Sequence, residues 1–166
     1  MSPPAIPRLI LIALCAISAA PVLLVDMPAM VDYPNHLARM HLLADSLGGS
    51  LTNPFYKLDW RAYPNLAMDI LVPLLARVLR VELATKLFYI SALVLIATGA
   101  MAIEYRVKRA VHASLLAFLV LLYCQPFTIG LLNFQFGLGV ALWSFAAWMY
   151  VEDRGTAVLH RRDGSA

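Results

Sequence analysis

The amino-acid sequence predicts an all-α integral membrane protein with about four transmembrane helices and two amphipathic interfacial helices in its first outer loop. Three observations carry that prediction. Hydrophobic residues make up 61% of the 166-residue chain, with a mean hydropathy of +0.75. An ordinary soluble domain is about 45–50% apolar, so a globule of this size cannot hide the excess and lipid must solvate part of it. The charged residues, only 14% of the chain, are clustered between long uncharged runs. The densest basic cluster lies between two such runs, as positive charge does in cytoplasmic loops. A net charge of +3 is too small and too dispersed for a nucleic-acid partner. Cys15 and Cys124 stand far apart in apolar runs, so they suggest neither a disulfide framework nor a metal site.

The first apolar run, residues 7–25, follows one arginine, Arg8. At 1.5 Å per residue it reaches across the ~30 Å hydrocarbon core. Ser18-Ala19-Ala20 offers a peptidase small residues, but Pro21 follows and the apolar run continues. A retained signal anchor with a cytoplasmic N-terminus is the better reading. Arginines far outnumber lysines and Ala and Leu abound, which points to a GC-rich bacterial source and a multi-pass protein of the inner membrane.

Residues 26–83 form the one long polar-containing region, with no positive excess, as expected of an outer loop. Two helices are predicted there. One runs from Pro34 to about Leu47, with proline in its first turn and Gly48-Gly49 as its stop. The second runs over residues 65–80. It places Asp69, Pro73, Arg77 and Arg80 on one narrow face opposite Ile70, Leu71, Leu74, Val78 and Leu79. Such a helix lies on the bilayer with its arginines snorkelling outward.

The second span is residues 84–105, ending in Arg106, Lys108, Arg109 and His112 on the cytoplasmic side. Residues 113–151 carry no charge. As one helix they would measure ~58 Å, nearly twice the hydrocarbon thickness. Pro126, Gly130 and Asn133 supply the breakers, giving spans of about 113–129 and 134–151 joined by a tight outer turn. On the fourth span Gly137, Ala141 and Ser144 share a face where another helix can approach closely. Residues 152–166 form a polar cytoplasmic tail.

The candidate chemistry lies around Val31-Asp32-Tyr33-Pro34-Asn35-His36. A carboxylate two residues before a helix-starting proline is favoured by the helix dipole alone, which is the plain structural reading. The same placement suits a general base at a membrane-facing cleft. His36 and His41 are five apart, so they do not share a face as a metal pair would, and no metal site is assigned. Lys57 and Arg61 flank Trp60 near Tyr63, a pattern that serves either an interfacial anchor or a lipid phosphate site.

The run Asp32-Tyr33-Pro34-Asn35-His36-Leu37-Ala38-Arg39 after an anchor resembles the start of GT-C-fold glycosyltransferases. So does the continuation through Tyr63-Pro64-Asn65-Leu66, residues 75–79 and Ala84-Thr85-Lys86-Leu87-Phe88. Leu132-Asn133-Phe134-Gln135-Phe136-Gly137-Leu138-Gly139 is similar to a segment of bacterial polytopic membrane proteins of this kind. The resemblance implies an N-terminal portion of an enzyme that uses a polyprenyl-phosphate-linked sugar on the outer face. Asp32 matches the catalytic base, and His36, Arg39, Lys57 and Arg61 are the expected substrate-binding residues. No organic cofactor is implied, and a divalent metal stays open. Two departures are plain: Tyr33 stands where many relatives carry a second acid, and the family's enzymes have more spans. Further helices from a longer chain or a partner are therefore expected, beside membrane lipid and the lipid-linked sugar. The alternative is a small non-catalytic protein that docks a larger membrane partner along Gly137, Ala141 and Ser144.

Overall fold

The computed structural model describes residues 5–48, 54–62, 64–109, 123 and 125–163, and every regular element among them is an α-helix. In chain order these are α1 (Ala5–Leu24), α2 (Tyr33–Leu47), α3 (Ala67–Leu75), α4 (Val81–Lys108), α5 (Gln125–Ile129) and α6 (Leu132–Asp163). By length and composition, α4 and the Leu132–Glu152 part of α6 are apolar enough to cross a membrane.

Helix α1 coincides with the first predicted span. Pro21 lies inside it and, having no N–H to give, leaves the Ile17 carbonyl one turn back without its helical donor, next to Ser18. There the buried Ser18 offers its backbone carbonyl to the Tyr123 hydroxyl. Just past the end of α1, the Val25 carbonyl accepts from Lys86 Nζ at 2.6 Å. A lysine from the start of α4 thus closes the polar end of α1, where backbone carbonyls have no helical partner.

Helix α2 begins as expected, with Pro34 in its first turn, and buries Tyr33, Met40 and Leu43. The second interfacial helix departs from expectation. Only Ala67–Leu75 is helical; turns follow, and Arg80 already caps α4. Its polar face does not point to water either. Asp69 and Pro73 are buried, while Ile70 and Leu74, with Val78 just beyond, are exposed. Asp69 and Pro73 share a face as expected, but Arg77 and Arg80 lie beyond the helix and exposed, and Leu71 and Leu79 pack on the core instead of with Ile70 and Leu74. Arg39 on α2 draws the Asp69 side inward.

Helix α4 runs 28 residues, longer at both ends than the predicted 84–105. It stops at Arg109, whose backbone is left-handed (φ 55°) and whose N–H bonds Tyr105. The third predicted span, 113–129, falls largely outside the described residues; only Tyr123 and α5 belong to it. The turn that follows is where the breakers placed it. Gly130 takes φ +97° between α5 and α6, a conformation that glycine alone adopts cheaply. Helix α6 does not stop at residue 151 but continues to Asp163, through most of the predicted tail. No proline interrupts it, and Gly155 alone does not end a helix.

The core is built on α4. Phe88, Tyr89, Leu93 and Ile96 pack with Tyr33 and Met40 of α2, Met68 and Val72 of α3, and Phe127 and Leu132. Edge-to-face contacts link Tyr33 to Tyr89 (5.5 Å), Tyr89 to Phe127 (6.2 Å) and Phe127 to Tyr123 (4.5 Å). Helices α4 and α6 form the closest pair. A Cβ on Gly139 would sit 2.6 Å from Leu95 Cβ, and one on Gly99 2.8 Å from Leu142 Cβ. Gly137, by contrast, has nothing within 4 Å of such a Cβ, and Ala141 and Ser144 are exposed beside it. Among the described residues, the face expected to meet another helix is therefore open. Only 11% of the apolar α6 window is buried, so Phe134, Val140, Phe145 and Trp148 project away from the protein. A soluble core helix would bury such side chains, whereas a lipid-facing one has no reason to.

Candidate functional site

The site begins with a problem that every helix has: its first N–H and last C=O groups lack partners within the helix. Here the leading end of α2 and the trailing end of α5 solve it for each other, although about a hundred residues separate them. The carbonyl of Thr128 accepts from the Val31 N–H at 3.0 Å, and that of Ile129 from the Asp32 N–H at 3.1 Å. The next carbonyl, Gly130, lies 3.0 Å from His36 Nε2. Three successive carbonyls thus hold the segment that carries the candidate acid. A side chain at Gly130 would crowd it, since a Cβ there would lie 3.1 Å from Asp32 Cβ.

Asp32 is the residue before the first turn of α2, but its side chain makes no capping hydrogen bond. It keeps the place at the positive end of the helix dipole, while its oxygens turn to side chains instead of the backbone. One oxygen, Oδ1, accepts from Asn35 Nδ2 at 2.8 Å, and Oδ2 lies 3.2 Å from His36 Nε2. The carboxylate stays 45% exposed, while the imidazole is 20% exposed. A carbonyl and a carboxylate can only accept, so the two neighbours of Nε2 place the proton of the neutral ring there; this tautomer is assigned from the network. The i, i+4 spacing from Asp32 to His36 is what brings acid and imidazole together. His41 instead meets Glu82 at 3.5 Å.

The other candidate residues lie along α2 and the segment 54–62. Arg39 reaches Asp69 on α3, pairing with it tightly. Burial raises the Asp69 carboxyl above the ordinary aspartate range, and the Arg39 guanidinium opposes that shift without cancelling it. Desolvation wins because Asp69 is 4% exposed while Arg39 keeps most of its hydration. Burial likewise raises the Tyr33 phenol, with Glu82 adding to the effect. Arg61 pairs with Asp59, Nε to Oδ2 at 3.0 Å, where both are exposed.

A groove of about 470 Å³ runs between α2 and this segment. Asn35 and Arg39 line one side and Tyr56, Lys57 and Asp59 the other, over a floor that includes Leu42 and Leu58. Asn35 therefore belongs both to the groove and to the Asp32 hydrogen-bond set. Arg39 and Lys57 come together in this groove, whereas Asp32, His36 and Arg61 do not line it. Mixed apolar walls with a few convergent polar groups and this volume suit a small-molecule headgroup.

The burial of Asp69 reverses the outward polar face expected of its helix. Asn133, named in the sequence as a breaker, also accepts from the Met68 N–H at 2.8 Å and so ties α3 to α6. Among the described residues the buried hydroxyls of Tyr33 and Tyr89 have no hydrogen-bond partner; nothing in their spacing announces this. Among the described residues no three His, Cys, Asp or Glu side chains gather as a metal site would require. Comparison with protein-family models, curated proteins and solved structures finds no match to this chain.

Proposed function

We propose that the chain is a GT-C-like membrane module of a glycosyltransferase. It moves a sugar from a polyprenyl-phosphate donor to an acceptor hydroxyl on the outer face of a bacterial inner membrane. In this reading the chain crosses the membrane about four times, residues 26–83 lie outside, and α2 and α3 rest in the interface. The exposed Ile70, Leu74 and Val78 supply the lipid-facing side of α3. The observation that carries the proposal is the Asp32–His36 contact of 3.2 Å, held by the 128–130 carbonyls next to a groove with cationic side chains. A carboxylate not used for capping, beside an imidazole, is equipped to take a proton from an acceptor hydroxyl. Lys57 is the cation available to a donor phosphate in the groove, with Arg39 beside it already engaged by Asp69. Arg61 then has a lesser part, because Asp59 neutralises it. The test is Asp32→Asn in the full-length natural chain, assayed for sugar transfer. Loss of turnover by about 100-fold or more is expected of a missing proton acceptor; undiminished turnover refutes the reading.

One observation favours a second reading, that of a non-catalytic subunit docking a larger membrane protein. Among the described residues, the face of Gly137, Ala141 and Ser144 is open and small enough for close helix approach. Gly137→Leu then abolishes co-purification of the partner, and an intact complex counts against it.

A further inference from the structure

We propose that the proton acceptor of this site is Nδ1 of His36, with Asp32 and the Gly130 carbonyl as the groups that orient the ring. The inference rests on the glycosyl-transfer reading above and changes which atom does the chemistry in it.

The argument is one of hydrogen-bond roles. His36 Nε2 has two acceptors within reach, Gly130 O at 3.0 Å and Asp32 Oδ2 at 3.2 Å. Neither can donate, so the hydrogen sits on Nε2, bonded to Gly130 O with the Asp32 carboxylate close by, which leaves the lone pair of the neutral ring on Nδ1. Among the described residues no hydrogen bond reaches Nδ1. The ring is thus held at one nitrogen and free at the other. A carboxylate that fixes the tautomer of an imidazole, whose far nitrogen takes a proton, is the general acid–base arrangement found on many unrelated folds. Asp32 suits the orienting part. Its Oδ1 is engaged by Asn35 and its Oδ2 by the ring. Its backbone N–H is fixed to Ile129, so the carboxylate is held from three sides. The Gly130 carbonyl supplies a second, uncharged anchor that keeps the imidazole from rotating away. A Cβ at Gly130 would press on Asp32, so the turn and the acid are fitted to one another.

In the transfer step, the acceptor hydroxyl gives its proton to His36 Nδ1 while its oxygen forms the bond to the anomeric carbon. The bond from that carbon to the phosphate oxygen breaks, and its electron pair leaves with the lipid phosphate. Asp32 stays ionised throughout and faces the imidazolium that forms.

The experiment places the full-length natural chain in proteoliposomes with a panel of polyprenyl-phosphate hexoses and pentoses and measures released polyprenyl phosphate. His36→Gln keeps an N–H donor near the place of Nε2 but has no base. It is expected to lower kcat by about 100-fold or more with KM little changed. His36→Ala is expected to recover part of its lost rate when imidazole is added. If His36→Gln turns over like the parent while Asp32→Asn does not, Asp32 itself is the base and the proposal falls. If both variants match the parent, or the parent releases nothing from any donor, the glycosyl-transfer reading falls and takes the proposal with it. Nitrogen-15 shifts of labelled His36 give a check independent of activity. An Nε2–H tautomer is expected, and an Nδ1–H tautomer overturns the assignment even where a variant fails to fold.

Discussion

Replacing Gly139 by alanine tests the close approach of α4 and α6. The added Cβ would lie 2.6 Å from Leu95 Cβ and 3.1 Å from the Ile96 nitrogen. Carbon atoms settle at roughly 3.5–4.0 Å, so α4 and α6 must part locally by about 1 Å. Neither obstacle can swing aside, because one is a Cβ and the other is backbone. Overpacking of this kind costs about 1–3 kcal/mol. Alanine in a helix recovers about 1 kcal/mol relative to glycine, leaving a net loss of up to about 2 kcal/mol. Gly137→Ala, two residues away, meets nothing within 4 Å, so only the propensity gain of up to about 1 kcal/mol applies. The two variants should therefore differ in opposite directions from the parent in reversible denaturant unfolding of the purified protein. Equal stability of the two would refute the α4–α6 approach and the placement of Gly137 on the open face.

The Arg39–Asp69 pair should show an asymmetry. Arg39→Met leaves a buried carboxylate without its partner and is expected to cost about 3 kcal/mol. Asp69→Asn frees an arginine that water already reaches and should cost about 1 kcal/mol; equal losses would count against the burial of Asp69. The same pair sets a pH dependence whose sign follows from the raised Asp69 carboxyl. The folded chain holds this proton more tightly than the unfolded one, so the contribution to stability is full below the ordinary aspartate value of about 3.9. It is lost as pH rises through the folded value. The parent should accordingly gain stability relative to Asp69→Asn on acidification toward that value; a parallel response would sink this assignment. Topology is tested in a background with Cys15 and Cys124 replaced. Phe55→Cys should react with a membrane-impermeant maleimide in intact cells and Arg109→Cys only after lysis. The reverse pattern would invert the orientation and remove the outer-face site.

Much of the helical plan was legible in the chain, because apolar runs and their breakers are local properties. The run of residues 84–105 foretold α4, and Pro34 marked the start of α2. Gly130 marked the turn before α6. That Asp69 and Pro73 share a face on α3 could also be read from the helical period, but not which way that face turned. The partner that decided this, Arg39, lies thirty residues earlier. The small-residue seam failed for a similar reason. Several glycines on one helix permit close approach, and only the position of α4 selected Gly139 over Gly137.

For the site, the sequence by itself determined that an acid would stand at the start of an amphipathic helix beside an apolar anchor. The tertiary structure alone decided what that acid does with its oxygens. It brought the end of α5 against the beginning of α2, so that the last carbonyls of one helix met the N–H groups that lead into the other. It thereby turned Asp32 toward His36 instead of its own backbone. Hydrogen-bond partners a hundred residues apart leave no periodicity to read, because chain topology rather than spacing brings them together.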